Sequence, residues 1–377
     1  MIDFFRSLLA FAVVLGVLVA VHEYGHYIVA RWCRVTIDAF SIGFGPAFAR
    51  RTDRRGTEWR LSAIPLGGYV KMRGFSEFGS TAEAEAGQAA AEGGEPAPDD
   101  DPGSFRNKPL AARAAVVAAG PAANLILAFV LFVLIYAAAG VAVIEPVISK
   151  VVPNTPAAAA GLAKGDRITA IDGHKIGSFV DIEHLVVPHP GRTFHVTYRA
   201  PGGATRHVTV TAGHRSVQGR KLGELGIVGS QASFRRLPLP QAVAAGARET
   251  WNTTAATFDG LWRLVSRGKG VQNLGGPVRI AALSGQAVSM GAADFLNFIA
   301  LLSINLCLVN LVPIPILDGG HLLFYAVEAV ARRPIPRAAQ LVGFQIGAAI
   351  LLSLIVFVTW NDLHHLGVAH WVAHLFG

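Results

Sequence analysis

Leu8-Leu9-Ala10-Phe11-Ala12-Val13-Val14-Leu15-Gly16-Val17-Leu18-Val19-Ala20-Val21 runs without a charge into His22-Glu23-Tyr24-Gly25-His26. The first part reads as a membrane-spanning helix, and the second places two imidazoles and a carboxylate inside it. Ionisable groups at membrane depth are costly, roughly 2.5–3.5 kcal/mol per charged residue near a helix centre. The trio therefore calls for a compensating partner. On an α-helix, residues i and i+4 share a face one turn apart, so His22 and His26 can reach one metal ion. Glu23 projects beside that pair, where it can take a proton from a water on the metal. The HExxH pattern also occurs by chance in soluble chains; its setting in an apolar helix gives it weight, because unpaired polar groups are penalised there.

Composition extends the membrane reading to the whole chain. Of 377 residues, 52% are hydrophobic and 15% charged, with a mean hydropathy of +0.44, too apolar for a soluble enzyme of this size. Segments at roughly 4–30, 111–141, 293–316 and 338–360 are long enough to cross a bilayer, which takes ~20 residues. The first lacks a basic leader and a small-residue cleavage site, and reads as an uncleaved signal anchor. Basic residues from Arg31 to Lys108 fall between the first two spans, Arg332, Arg333 and Arg337 fall between the last two, and none follows. The positive-inside rule then puts both loops in the cytoplasm, and both termini and residues 142–292 on the far side. Topology accounts for the net charge of +8, and no nucleic-acid recognition module is visible, so nucleic-acid binding is excluded. Cys33 and Cys307 lie in or beside spans and read as free thiols.

The first span and its motif occupy 1–35. Residues 36–75 alternate apolar and polar side chains around Gly-Pro and Asp-Arg-Arg-Gly turns, which predicts a membrane-associated β-hairpin ending near Gly67-Gly68-Tyr69. Its edge could receive an extended substrate, or it could be an ordinary cytoplasmic hairpin. Residues 76–108 form an acidic insert read as disordered. The span at 109–142 carries Gly120-Pro121-Ala122-Ala123-Asn124, a sign of close helix approach or a kink, with Asn124 in need of a polar partner. From 143 to 215 the chain turns soluble: Thr155-Pro156-Ala157, Ala160-Gly161-Leu162 and Gly165-Asp166 through Ile171-Asp172-Gly173 resemble bacterial PDZ domains, which bind extended peptides by strand addition. Strands are expected at Thr193–Arg199 and Thr205–Thr211. The stretch 216–292 reads as a linker holding an amphipathic helix near 239–266, suited to a lipid surface or to packing on the PDZ-like part.

The span assigned to 293–332 ends in Asn310-Leu311-Val312-Pro313-Ile314-Pro315-Ile316-Leu317-Asp318-Gly319-Gly320-His321. Two prolines break the helix at membrane depth and leave Asp318 at the break. A carboxylate there with no basic neighbour calls for a cation, and two His ligands plus Asp318 would leave the fourth position of a zinc ion open. His321 reads as a polar residue near the break. In the last segment, 333–377, His364, His365, His370 and His374 with Trp360 and Trp371 fit an interfacial belt.

Together HEYGH, IPLGGYVKM, GPAAN, the PDZ-like segment and NLVPIPILDGG resemble the site-2 protease family of intramembrane zinc metalloproteases, nearest its regulator-of-sigma-E protease branch. The resemblance implies zinc (Zn2+) held by His22, His26 and Asp318, Glu23 as general base and acid, and substrate-holding roles for Asn310 and for Gly67, Gly68 and Tyr69. It implies a multi-span α-helical membrane protein of about four transmembrane helices, with the β-hairpin region and one inserted α/β PDZ domain. The better-known enterobacterial type has two such domains. The expected activity is regulated intramembrane proteolysis in the bacterial inner membrane, on single-pass proteins such as anti-sigma factors and remnant signal peptides, after another protease has cut first. Expected partners are transmembrane substrates, peptide segments at the PDZ domain and membrane lipid. The rival is a catalytically silent PDZ adaptor, against which Glu23 argues, since an adaptor needs no general base.

Overall fold

The computed structural model describes residues 2–75, 101–217, 220–230, 232–267 and 275–365. Of the insert expected to be disordered at 76–108, residues 76–100 lie outside the described residues, as does the tail with His370, Trp371 and His374; residues 101–108 are ordered instead, with a helical turn at Phe105–Asn107 and the Phe105 ring buried. Two compact units emerge: Met1–Ile135 with Gln241–Gly377, and Tyr136–Pro240.

In the first unit, four helical stretches are long and apolar enough to cross a membrane: Asp3–Trp32, Leu110–Ala138, Ala292–Asn310 and Ala338–Asp362. They belong to α1 (Ile2–Trp32), α2 (Leu110–Ala138), and two late helices considered below. Small residues let α1 and α2 cross closely. A Cβ on Gly25 would lie 2.3 Å from the Ala119 carbonyl oxygen, so the backbones meet in the manner of small-residue membrane interfaces. Arg113 at the start of α2 donates to Glu328 at 2.6 and 3.3 Å and stands over the Tyr325 ring.

β1 (Ile37–Thr52) and β2 (Glu58–Met72) follow α1. Ala39 pairs with both Lys71 and Glu58, and Phe40 with both Val70 and Trp59, so the start of β1 lies between two lengths of β2. Ala30, Ile37, Phe40, Val70, Met72, Val116 and Val117 are buried in one cluster, which seats the strands against α1 and α2. Arg73, just past β2, binds Asp38 at 2.8 Å and Asp101 at 2.9 Å, and Phe75 packs edge-on against Phe105. These contacts bring the two described ends flanking 76–100 together.

The C-terminal part holds α5 (Leu239–Arg267), α6 (Pro277–Met290), α7 (Ala292–Asn310), α8 (Asp318–Ala331) and α9 (Arg337–His365), numbered after two short helices of the other unit. The stretch 293–332, read from sequence as one span, is two helices. Pro313 and Pro315 lack the N–H a continuing helix would need, so α7 stops at Asn310 and Asp318 is the first residue of α8. At 14 residues α8 is too short to cross a bilayer. Asp362, near the end of α9 and 3% exposed, accepts from Gly276 N–H and Arg279 N–H at 3.0 Å each and so caps α6.

The second unit contains β3 (Val141–Ile144), β4 (Ile148–Val151), α3 (Pro156–Ala159), β5 (Arg167–Ile171), β6 (His174–Lys175) and α4 (Phe179–Val186). β7 (Thr193–Arg199) and β8 (Thr205–Thr211) form over the residues their alternation predicts. These strands make a sheet of order β6-β5-β7-β8 over a core that includes Ile148, Ile168, Phe194 and Val196. Strand structure continues past 215, into what sequence assigned to a linker: β9 (Gly213–Val217), β10 (Arg220–Glu224), β11 (Ile227–Gly229) and β12 (Ala232–Arg235). β11 pairs with β4 and β12 with β3. These short strands carry glycines and charges with no apolar alternation, so local pattern gives them little signal.

Candidate metal centre

His22 and His26 occupy one face of α1, their rings edge-on with centroids 4.8 Å apart. Asp318 meets them from the first turn of α8. Its Oδ2 is 3.2 Å from His22 Nε2, its Oδ1 is 3.6 Å from His26 Nε2, and the two Nε2 atoms are 3.2 Å apart. Both histidines are buried, and Asp318 Oδ2 is a buried oxygen with no hydrogen-bond partner. A tetrahedral ion with bonds of about 2.0–2.1 Å separates its ligand atoms by about 3.3 Å, which is the spacing found. A close cluster of two imidazoles and an orphaned carboxylate oxygen, among apolar helices, is a donor set suited to zinc.

The surroundings orient these donors. His26 Nδ1–H donates to the Val116 carbonyl at 2.8 Å, leaving the Nε2 lone pair aimed at Asp318. Val116 lies in α2, one turn before the Gly120-Pro121 pair. His22 Nδ1 lies 3.2 Å from the side-chain nitrogen of Asn124, while Asn124 Oδ1 is buried without a partner. Turning the amide over satisfies both groups: Oδ1 accepts from His22 Nδ1–H, and His22 Nε2 is then free to bind a metal. Asn124 is fully buried, and Ser303 Oγ of α7 donates to its backbone carbonyl at 2.7 Å.

Space is as tightly set as charge. A Cβ on Gly120 would fall 2.3 Å from His26 Nε2 and 2.8 Å from His22 Cε1, so α2 can face the imidazoles only through a glycine. Sequence reading linked Gly120 to helix approach and asked a partner for Asn124; it did not connect either residue to the histidines. The available signal was a buried amide in a span.

Of the other residues singled out from sequence, Asn310 closes α7 with its Nδ2 3.5 Å from His22 Nε2, the outer limit of a hydrogen bond. Gly68 lies against α1: a Cβ there would stand 3.3 Å from Glu23 Cγ and 2.7 Å from the Ser41 carbonyl oxygen. Gly67 has φ of +134°, and a Cβ would strike the Phe44 ring at 2.2 Å. Tyr69 accepts from Arg60 at 3.1 Å and stacks with Phe44. His321 is not among the three clustered donors; its ring lies 5.4 Å from that of Phe75 and 5.3 Å from that of Phe344.

A protein-family model described as Peptidase family M50 matches residues 10–354. A relative from Agrobacterium fabrum, named as a zinc metalloprotease, is 42% identical over 94% of this chain and 95% of its own length. The regulator of sigma E protease of Salmonella typhi is 30% identical over 97% of this chain and all of its own length. Among solved structures, the PDZ domain of an SdrC-like protein from Listeria monocytogenes aligns with 24% of this chain and 90% of its own, at 23% identity and a TM-score of 0.21.

Proposed function

This chain belongs to peptidase family M50, the site-2 protease family, and is a zinc metalloprotease; from that premise we propose that it cleaves single-pass membrane proteins within or near their spans, at a zinc held by His22, His26 and Asp318. The observation that carries the reading is the convergence of these three donors, one with an orphaned oxygen, between helices long and apolar enough to span a bilayer.

Zinc bound there supplies Lewis acidity, which polarises a peptide carbonyl and makes a water acidic enough to ionise near neutral pH. Glu23, next to His22 on α1, takes the proton from the attacking water and returns it to the leaving amine. Val116 and Asn124 fix the histidine tautomers, so both imidazoles present lone pairs when substrate arrives. A helical substrate hides its carbonyls in hydrogen bonds and must unwind before it can be cut. The backbone of β2 beside Glu23 offers an edge for the unwound segment, with Asn310, within 3.5 Å of His22 Nε2, as a second handle. The second unit, PDZ-like in its sequence motifs, either grips an extended peptide or limits access. Anti-sigma factors and remnant signal peptides, first trimmed by another protease in the inner membrane, fit this chemistry, with both termini and the second unit on the periplasmic side.

The test co-expresses the protein with a tagged, pre-trimmed single-span substrate and compares wild type with Glu23→Gln. Cleavage should vanish in the variant at unchanged protein level. Equal cleavage by both proteins would remove Glu23 from the mechanism.

A further inference from the structure

A cavity of about 220 Å³ has His26 and Asp318 in its wall. Met72 and Phe75, at and just past the end of β2, Val117 of α2, Ile316 of the proline loop, His321 of α8 and Phe344 of α9 complete it. Nothing in the hydrolytic chemistry derived above uses this space. Two of its wall residues are nevertheless proposed ligands of the metal, so whatever fills it sits beside the bond being cut.

The strand gives the cavity a place along the substrate. Gly68 of β2 lies against Glu23, whereas Met72, further along the same strand, lines the cavity. Gly68 and Met72 are about 13 Å apart along the strand, at about 3.3 Å per residue, while His26 and Asp318 form the cavity's wall at the metal. The cavity therefore runs from the metal centre toward the Met72 end of β2, and a large side chain flanking the cut on that side of an extended segment is the one placed to enter it.

The wall decides what that side chain is. Apart from the metal-facing pair and His321, the lining is thioether, aromatic and branched aliphatic. Past the metal-facing pair, an entering carboxylate would trade its water for thioether, aromatic and aliphatic groups. We propose that the cavity receives a large apolar side chain, Leu, Met or Phe, from the substrate residue next to the cut on the Met72 side, and that Phe344 sets the upper size limit. Phe344 is a residue of the last long helix, outside the donor set and 8% exposed. This inference rests on the proteolytic reading above.

The experiment uses the full-length protein in detergent with a single-span substrate whose cut is mapped by mass spectrometry. Ala, Leu, Phe or Asp is placed in turn at each residue flanking the cut, and initial rates are compared for wild type, Phe344→Ala and Phe344→Trp. On one side of the cut, wild type should favour Leu over Ala and reject Asp. Phe344→Ala should raise the Phe-to-Leu rate ratio, and Phe344→Trp should lower it, each by about tenfold, the scale at which small changes in an apolar pocket are felt. A ratio within one protein is independent of how much of it folds, and the two changes push in opposite directions, so either variant alone decides. Ratios equal to wild type at every position, with cleavage retained, would overturn the proposal. A zinc-loaded wild type that cuts no member of the panel would overturn the proteolytic reading itself, and the cavity's role with it.

Discussion

Asn124 shows how one side chain can govern a metal it does not touch. It holds His22 Nδ1 while contributing no ligand atom, and partners of that kind change metal affinity by roughly 10–100-fold. Asn124→Ala should lower zinc affinity on that scale, measured by competition with a chelator, while Asn124→Asp, which keeps an oxygen acceptor, should retain more of it. Gly120 makes a steric prediction. Gly120→Ala forces a Cβ against both imidazoles and should abolish zinc binding and cleavage together. Gly16→Ala, on the same helix as the histidines but with nothing within 4 Å of its added Cβ, should leave both intact. Sequence alone carried the His22–His26 pairing, since that relation is one helical turn. It could not carry the meeting of Asn124 with His22, 102 residues apart, because nothing local encodes which buried amide faces which imidazole.

At the scale of elements, the proline loop and the short helix after it place Asp318. Pro313 and Pro315 end α7, and Asp318 opens α8, whose far end is tied to α2 by the Arg113–Glu328 pair. The helix break was legible because proline cannot donate; that a separate helix begins at Asp318 was not, since Asp318-Gly319-Gly320 reads locally as part of the break. A second local device sits in the other unit, where Ser178 and Asp181 form a capping box at the start of α4. Burial works to raise the Asp181 carboxyl, but N–H donors from Gly177 and Ser178 hold it below its ordinary value. A depressed carboxyl contributes stability above the ordinary Asp range and loses it as pH falls through the lowered value, so this cap should persist into mild acid. Ser178→Ala should cost about 1 kcal/mol, visible as lost hydrogen-exchange protection over Phe179–Val186 in the full chain. The capping serine and its acidic partner are three residues apart and local, whereas the pairing of β11 with β4 joins residues about 80 apart, for example Lys150 with Val228, and no short pattern announces it.

For the molecule as a whole, the metal should join elements that are otherwise held by apolar packing: α1, carrying two donors, and α8, carrying the third. A ligand that binds only the folded state stabilises it, by about 2.7 kcal/mol at a hundredfold excess over its dissociation constant. Chelation should therefore lower the thermal unfolding midpoint of wild type and leave that of His22→Ala nearly unmoved. The number of spans was readable because apolar length is a bulk property of the chain, and the family resemblance supplied the joint identity of donors that lie far apart in sequence. What required the structure was the shell behind the donors and the cavity beside them, both assembled from several helices and a strand.

The most direct measurement is zinc K-edge absorption on the purified Glu23→Gln protein, which lacks the proposed base but keeps every proposed ligand, together with its Asp318→Asn counterpart. The account predicts one zinc per chain with a first shell of nitrogen and oxygen at about 2.0–2.2 Å, carrying the multiple-scattering signature of two imidazoles, and lost or weakened in Asp318→Asn. A sulfur shell, or an identical spectrum and zinc content in the Asp318 variant, would contradict it.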